Sequence, residues 1–200
     1  MDFEKCSDNR KEKNDWKKSV VTYLHDLLYM LMAILLVFLL FFRVIVVSGD
    51  SMYSTLLDGD YLLLLGNLFY QEPKRNDIVV ISKKSFDNGK PIVKRVIATE
   101  GQTVDIDFEN AIVYVDGVAL VEPYINSPTS LNEGMLFPLT VAENCIFVLG
   151  DNRGVSRDSR DPVIGQVDRR EVLGKAIFLM LPGTSHGYLN RDMGRMGVIK

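Results

Sequence analysis

Leu27–Phe42 reads LLYMLMAILLVFLLFF, an unbroken apolar run without a single charge. Carried on through Arg43 and Val44–Val47 it covers residues 27–47, about 31 Å as a helix, against a hydrocarbon core of about 30 Å. The run is apolar all round rather than along one stripe, unlike the core helix of a soluble protein. Arg43 lies near its end, where a long stem carries the charge to the interface. A cleaved secretory signal is the competing reading. The mostly polar residues 1–26 are long for such a signal, and Val-Val-Ser-Gly-Asp follows in place of an A-x-A-like site. The sequence therefore predicts a permanent transmembrane helix over 27–47. Lys5, Arg10, Lys11, Lys13, Lys17 and Lys18 precede it, whereas after Arg43 no Lys or Arg occurs before Lys74. This asymmetry predicts a single-pass protein of the cell membrane, with residues 1–26 cytoplasmic and 48–200 extracytoplasmic.

Around that span the chain has 200 residues, 47% hydrophobic and 24% charged, with a formal net charge of −3. The composition is that of a globular chain, without the basic surplus of a nucleic-acid binder. Cys6 and Cys145 exclude a disulfide-stapled scaffold or a multi-cysteine zinc site, and the predicted topology puts them on opposite sides of the membrane. No P-loop, dinucleotide fingerprint or H-E-x-x-H is present, so no cofactor or metal is expected. Past the span come short β-rich runs: Tyr61–Leu65, Asp77–Ser82, Pro91–Ala98, Thr103–Asp107, Cys145–Leu149 and Val172–Leu181. Ala111–Val115 and Val118–Val121 flank Asp116-Gly117, a strong hairpin signal. The expectation is a mostly β domain over 48–182, with a polar turn-rich loop at 126–134 and a flexible Gly-containing tail over 183–200. Nothing in the sequence specifies an oligomeric state.

Three clusters carry possible chemistry. Histidine is scarce: His25 sits at the cytoplasmic edge and His186 in the tail, so a hydrolase built here needs a different base. Ser51 follows the span in Ser48-Gly49-Asp50-Ser51-Met52, a small-residue approach that brings a hydroxyl and its amide close to a substrate carbonyl. Lys94 lies among apolar residues in Ile92-Val93-Lys94-Arg95-Val96-Ile97, where desolvation lowers an amine's pKa toward a working base. Arg95 cannot act in this way, because it stays protonated. On a strand Lys94 and Arg95 face opposite ways, and periodicity does not say which faces water. The third cluster, Gly150–Arg160, packs three arginines, two aspartates and two serines behind an apolar strand. Such a loop either is solvated or braces itself through charge-assisted bonds.

Taken in order, these clusters resemble the type I signal peptidases, membrane-anchored Ser-Lys proteases of the leader peptidase class, from the anchor to about Leu181. S-G-D-S-M-x-x-T-L (Ser48–Leu56) is similar to the family's nucleophile motif. D-I-V-V (Asp77–Val80), K-R-V (Lys94–Val96) and G-D-N-R-x-x-S-x-D-S-R (Gly150–Arg160) are similar to the motifs that follow it. The resemblance implies Ser51 as nucleophile and Lys94 as general base, and so chooses between the two strand faces. It implies Ser156 as hydrogen-bond partner of the lysine, Asp158 and Arg160 as a brace, and Asp151 and Asn152 as further support. Met52 and Leu56 become candidates for lining substrate pockets. Ser54 departs from the family's proline. Gly49 stands where some members carry a serine that completes the oxyanion hole, leaving that task to backbone amides, chiefly that of Ser51. The short segment between Asp107 and Cys145, with the single anchor, is similar to the compact Gram-positive enzymes, and Lys94 argues against the histidine-bearing eukaryotic branch. The implied activity is removal of N-terminal signal peptides from exported preproteins, with the preproteins and the lipid bilayer as partners and no nucleic acid. Two other readings compete. A self-cleaving Ser-Lys repressor predicts a helix-turn-helix that this chain lacks, and an inactive tethered β module would make Ser51 and Lys94 dispensable.

Overall fold

The computed structural model describes residues 3–184 and 191–199, with side chains for Trp16 and, among those residues, from Lys18 onward. His186 and the side chain of Cys6 lie outside the described residues. The chain divides into two compact units, residues 1–41 and 42–200.

The first unit is a helix, α1 (Phe3–Phe41). Its segment Lys18–Phe41 reaches a mean hydropathy of 2.3 and is long and apolar enough to cross a membrane. Its apolar side chains are exposed around the whole circumference, Leu35, Leu36, Leu39 and Leu40 among them, as a lipid-facing helix requires. The helix ends at Phe41, which corrects the span expected over 27–47. Phe42–Val46 instead forms strand β1, and its β-branched Val44-Ile45-Val46 suits a pleated ladder better than a helix. The β domain therefore begins at Phe42 and not at 48, and the apolar helix gains its length from residues 18–26.

The second unit is built on an eight-stranded antiparallel sheet of order β1-β2-β11-β3-β4-β9-β10, with β12 on the far half of β11. Its strands are β2 (Tyr61–Gly66), β3 (Ile78–Ile81), β4 (Ile92–Thr99), β9 (Cys145–Leu149), β10 (Val167–Asp168), β11 (Val172–Leu181) and β12 (Gly197–Val198). A smaller sheet of order β7-β6-β5-β8 joins β5 (Thr103–Asp107), β6 (Ile112–Val115), β7 (Val118–Ala119) and β8 (Leu139–Thr140). Between β6 and β7, Asp116 and Gly117 both take positive φ, 54° and 77°, as a two-residue primed turn demands. The predominance of strand matches the expected mostly β class.

Three buried clusters hold the sheets together. Leu62, Leu64, Ile78, Val80 and Leu179 form one, Ile97, Val104, Val113, Phe147 and Leu149 a second, and Val79, Ile81, Val96, Val148 and Ile164 a third. Strands β3, β4 and β9 are shared between clusters, so both of their faces are buried; β3 and β9 read as continuous apolar runs, and β4 does so apart from Lys94 and Arg95. The expected loose tail is corrected for residues 191–199. Arg195 binds the buried Asp60 with both amino nitrogens (3.0 and 2.8 Å), and Val198 pairs with Phe178.

Candidate active site

Ser51 opens a turn whose neck is closed by Val47 N to Asp60 O (2.8 Å) and Gly59 N to Val47 O (2.9 Å). Gly49 reaches it in the left-handed region (φ 90°) while donating its amide to Asp58 Oδ1 (2.7 Å); glycine takes that conformation without steric cost. Met52 and Leu56 anchor the turn from beneath. Both are fully buried in the first apolar cluster and pin the nucleophile turn to the core; Leu56 also lines a small cavity with Thr55, Leu179 and Arg195.

Lys94 lies on β4 opposite Val79. The residue is only 2% exposed, and its Nζ donates to Ser51 Oγ at 2.8 Å. Burial pulls the amine down from its ordinary 10.5 to about 8; Asp158, Glu133 and Asp151 oppose that shift, and Arg160 adds to it. Arg95, one residue on, points to the other face. Its Nε and Nη2 reach Asp151 (2.8 and 2.6 Å), Nη1 donates to Asn76 O (3.1 Å), and the guanidinium lies 4.0 Å over the Tyr124 ring.

The loop after β9 is a buried scaffold. Asn152 donates its amide to Ser51 O (3.0 Å) and its Nδ2 to Asp50 O (3.1 Å), and Asp151 accepts Thr55 Oγ1 (2.5 Å). Asp151 and Asn152 thus hold both ends of the nucleophile turn. Asp158 and Arg160 are fully buried and pair through Nε (2.9 Å) and Nη2 (3.0 Å), and Asp158 also accepts the Gly150 amide (3.0 Å). Arg160 Nη2 further ties down the carbonyls of Arg153 and Ser156. The expected Ser156–Lys94 hydrogen bond is not formed. Ser156 is buried, and its Oγ has no partner among the described residues. It packs instead against Gly150, where an added Cβ would collide with Ser156 Oγ and with Ser51 O. Gly150 is therefore the position that lets the loop and the nucleophile turn touch.

Beside Ser51 runs a mostly apolar cleft of about 300 Å³, walled by Ile45, Val46 and Val47 on one side and by Pro91, Ile92 and Val93 on the other. Sequence reasoning missed the first wall, because residues 44–47 were read as membrane helix. The available signal was Arg43 breaking the run just ahead of β-branched residues. It also leaves Arg95, Gly150 and Thr55 without roles; their partners Asp151, Ser51 and Asp151 lie 56, 99 and 96 residues away, a distance no local pattern reports.

A model of the family described as "Signal peptidase, peptidase S26" matches residues 20–181. The chain belongs to that family. It is 36% identical over 150 residues to the probable signal peptidase I-1 of Synechocystis sp., covering 72% of this chain and 73% of that protein. Signal peptidase I of Bacillus licheniformis is 30% identical over 190 residues, covering 91% of this chain and 96% of the relative. The crystal structure of a signal peptidase I from Enterococcus faecalis V583 is 34% identical and aligns with 52% of this chain and 97% of its own, with a TM-score of 0.42. S26 signal peptidases are serine endopeptidases, and this membership makes the chain a hydrolase with Bacillus forms among its relatives.

Proposed function

We propose that the chain is a membrane-anchored endopeptidase that removes N-terminal signal peptides from exported preproteins, with Ser51 as nucleophile and Lys94 as general base. The observation that carries this reading is the 2.8 Å contact between Lys94 Nζ and Ser51 Oγ in a buried setting. An amine that loses its proton near pH 8 is neutral often enough at physiological pH to accept the hydroxyl proton. Ser51 Oγ then attacks the scissile carbonyl. The ammonium returns the proton to the leaving amine, and water, deprotonated by the same lysine, releases the acyl group. Charge developing on the carbonyl oxygen falls to backbone amides, chiefly that of Ser51.

The cleft fits the substrate class. Its walls belong to β1, an edge strand, and to the start of β4, so an extended peptide can add along the edge and offer alternate side chains to apolar walls. A cleft of about 300 Å³ suits small side chains ahead of the cut better than bulky ones. Helix α1 would hold the enzyme in the bilayer with its amino terminus cytoplasmic and the β domain outside, where preproteins are anchored by their own apolar segments. Shared anchoring raises the effective concentration of the cleavage site. No cofactor and no nucleic acid enter this reading.

The test is cleavage of a signal-peptide-bearing preprotein by the full chain in detergent. Wild type is expected to cut once, after the signal peptide, and Ser51→Ala to leave the preprotein intact. Cutting by Ser51→Ala at the wild-type rate would refute the assignment.

A further inference from the structure

One half-buried carboxylate, tied to the Arg160 brace, has no role in the mechanism. Glu133 belongs to the polar loop at 126–134 and is fastened where it enters the molecule. Arg160 Nη1 donates to Leu131 O (3.1 Å), and Met135 N donates to Arg160 O (3.0 Å), so two bonds to one arginine bracket it. Glu133 Oε1 lies 3.5 Å from Arg160 Nη2, the nitrogen that also serves Asp158 Oδ2 at 3.0 Å. Its Oε2 is buried with no hydrogen-bond partner among the described residues. A carboxylate oxygen left this way costs stability, and such groups gather where their charge has a use.

We propose that Glu133 is a positioning residue of the reaction, which acts with Asp158 across their shared Arg160 to set how strongly the Lys94 amine holds a proton. The proposal rests on the Ser51–Lys94 reading. The charged groups that bear on Lys94 are Asp158, Glu133 and Asp151, which favour the ammonium, and Arg160, which opposes it. Glu133 in turn faces Asp158, Arg160 and Asp161, and burial with its carboxylate neighbours raises its own pKa. When Ser51 gives up its proton, a positive charge forms on Lys94, and the Glu133 carboxylate stabilises that charge. Removing the carboxylate makes the amine a weaker base. Two effects follow: the amine becomes neutral at lower pH, and it accepts the proton less readily once neutral. Glu133 is not part of the cleft walls, so the change falls on kcat and leaves KM in place.

The experiment is kcat and KM against pH for the full chain in detergent, with a fluorogenic peptide carrying a signal-peptide cleavage sequence as probe. In Glu133→Gln the basic limb is expected to move to lower pH by on the order of half a unit, with a reduced plateau and wild-type KM. Glu133→Met removes the charge without burying an amide and is expected to give the same direction should the glutamine variant fold poorly. Glu133→Asp keeps the charge and is expected to keep the limb at the wild-type position. A uniform loss of rate with the limb unmoved, or a limb moved to higher pH, would overturn the proposal. Failure of the underlying reading looks different: wild type itself would show no basic limb.

Discussion

At the scale of single residues the site turns on what burial does to Lys94. Folded Lys94 releases its proton near pH 8, whereas an unfolded lysine keeps it to 10.5. Between those values the unfolded chain binds more protons, so the Lys94 contribution to stability rises with pH across that window. Below it the fold carries a buried ammonium, and Lys94→Met is expected to abolish cleavage while stabilising the protein at pH 7 by on the order of 1–3 kcal/mol. Urea unfolding at pH 7 and 9.5 checks this: the advantage of the methionine variant should shrink at the higher pH. An unchanged or lowered urea midpoint at pH 7 would contradict it. Gly150 makes the opposite case, a residue with no reactive group whose replacement should be felt at once. Gly150→Ala pushes a methyl into the Ser51 carbonyl and the Ser156 hydroxyl, and overpacking of this kind costs about 1–3 kcal/mol. Its cleavage rate should drop with the thermal midpoint only modestly lowered, and full activity would show that the turn and loop need not touch.

At the scale of elements, the geometry of the nucleophile depends on which segments the loops fasten to. The nucleophile turn is held from three sides: by Asn152 at Ser51, by Asp151 at Thr55, and by Asp60 at Leu57 N (2.8 Å). Asp60 is itself held by the amide of Gly183 (2.6 Å) and by Arg195, so the carboxy-terminal segment reaches the nucleophile turn through one buried carboxylate. Arg195→Ala leaves that carboxylate short of its cation and is expected to lower stability by about 1–3 kcal/mol, seen as a fall in thermal midpoint. A midpoint equal to that of wild type would show the clip to be incidental. Arg160 is buried more deeply, and removing one partner of such a pair costs about 3–5 kcal/mol, so Arg160→Ala is expected to fail by unfolding before it fails in chemistry. These links also mark where reading the sequence stopped. The strand positions of Lys94 and the Asp116-Gly117 turn are local patterns and were legible. Ser156 was assigned to the lysine because motif order carries residue identity but not side-chain direction, and in the structure its hydroxyl turns to Gly150. Met52 and Leu56 show a further limit of local pattern: apolar residues beside a nucleophile read alike whether or not they are also packed into the core.

At the scale of the whole molecule, the boundary between helix and β domain has consequences that a hydropathy reading obscures. Sequence alone puts the domain start at 48, yet residues 42–47 supply Ile45 and Val47 to the core and three residues to the cleft wall. A fragment of residues 42–200 is therefore expected to fold and cleave peptide in detergent, while 48–200 loses an edge strand and a wall and should show a lower thermal midpoint and little cleavage. Equal behaviour of the two fragments would place β1 outside the working enzyme. The most direct measurement on the central claim is signal-peptide cleavage by full-length Lys94→Arg beside wild type and Arg95→Lys, from pH 6 to 10. Arginine keeps charge and reach but stays protonated, with a pKa above about 12. The Ser51–Lys94 account predicts a wild-type rate that climbs to a plateau through about pH 8, a parallel curve for Arg95→Lys, and a loss of about 10²-fold or more at every pH for Lys94→Arg. A Lys94→Arg enzyme that cleaves at a rate near wild type would contradict it.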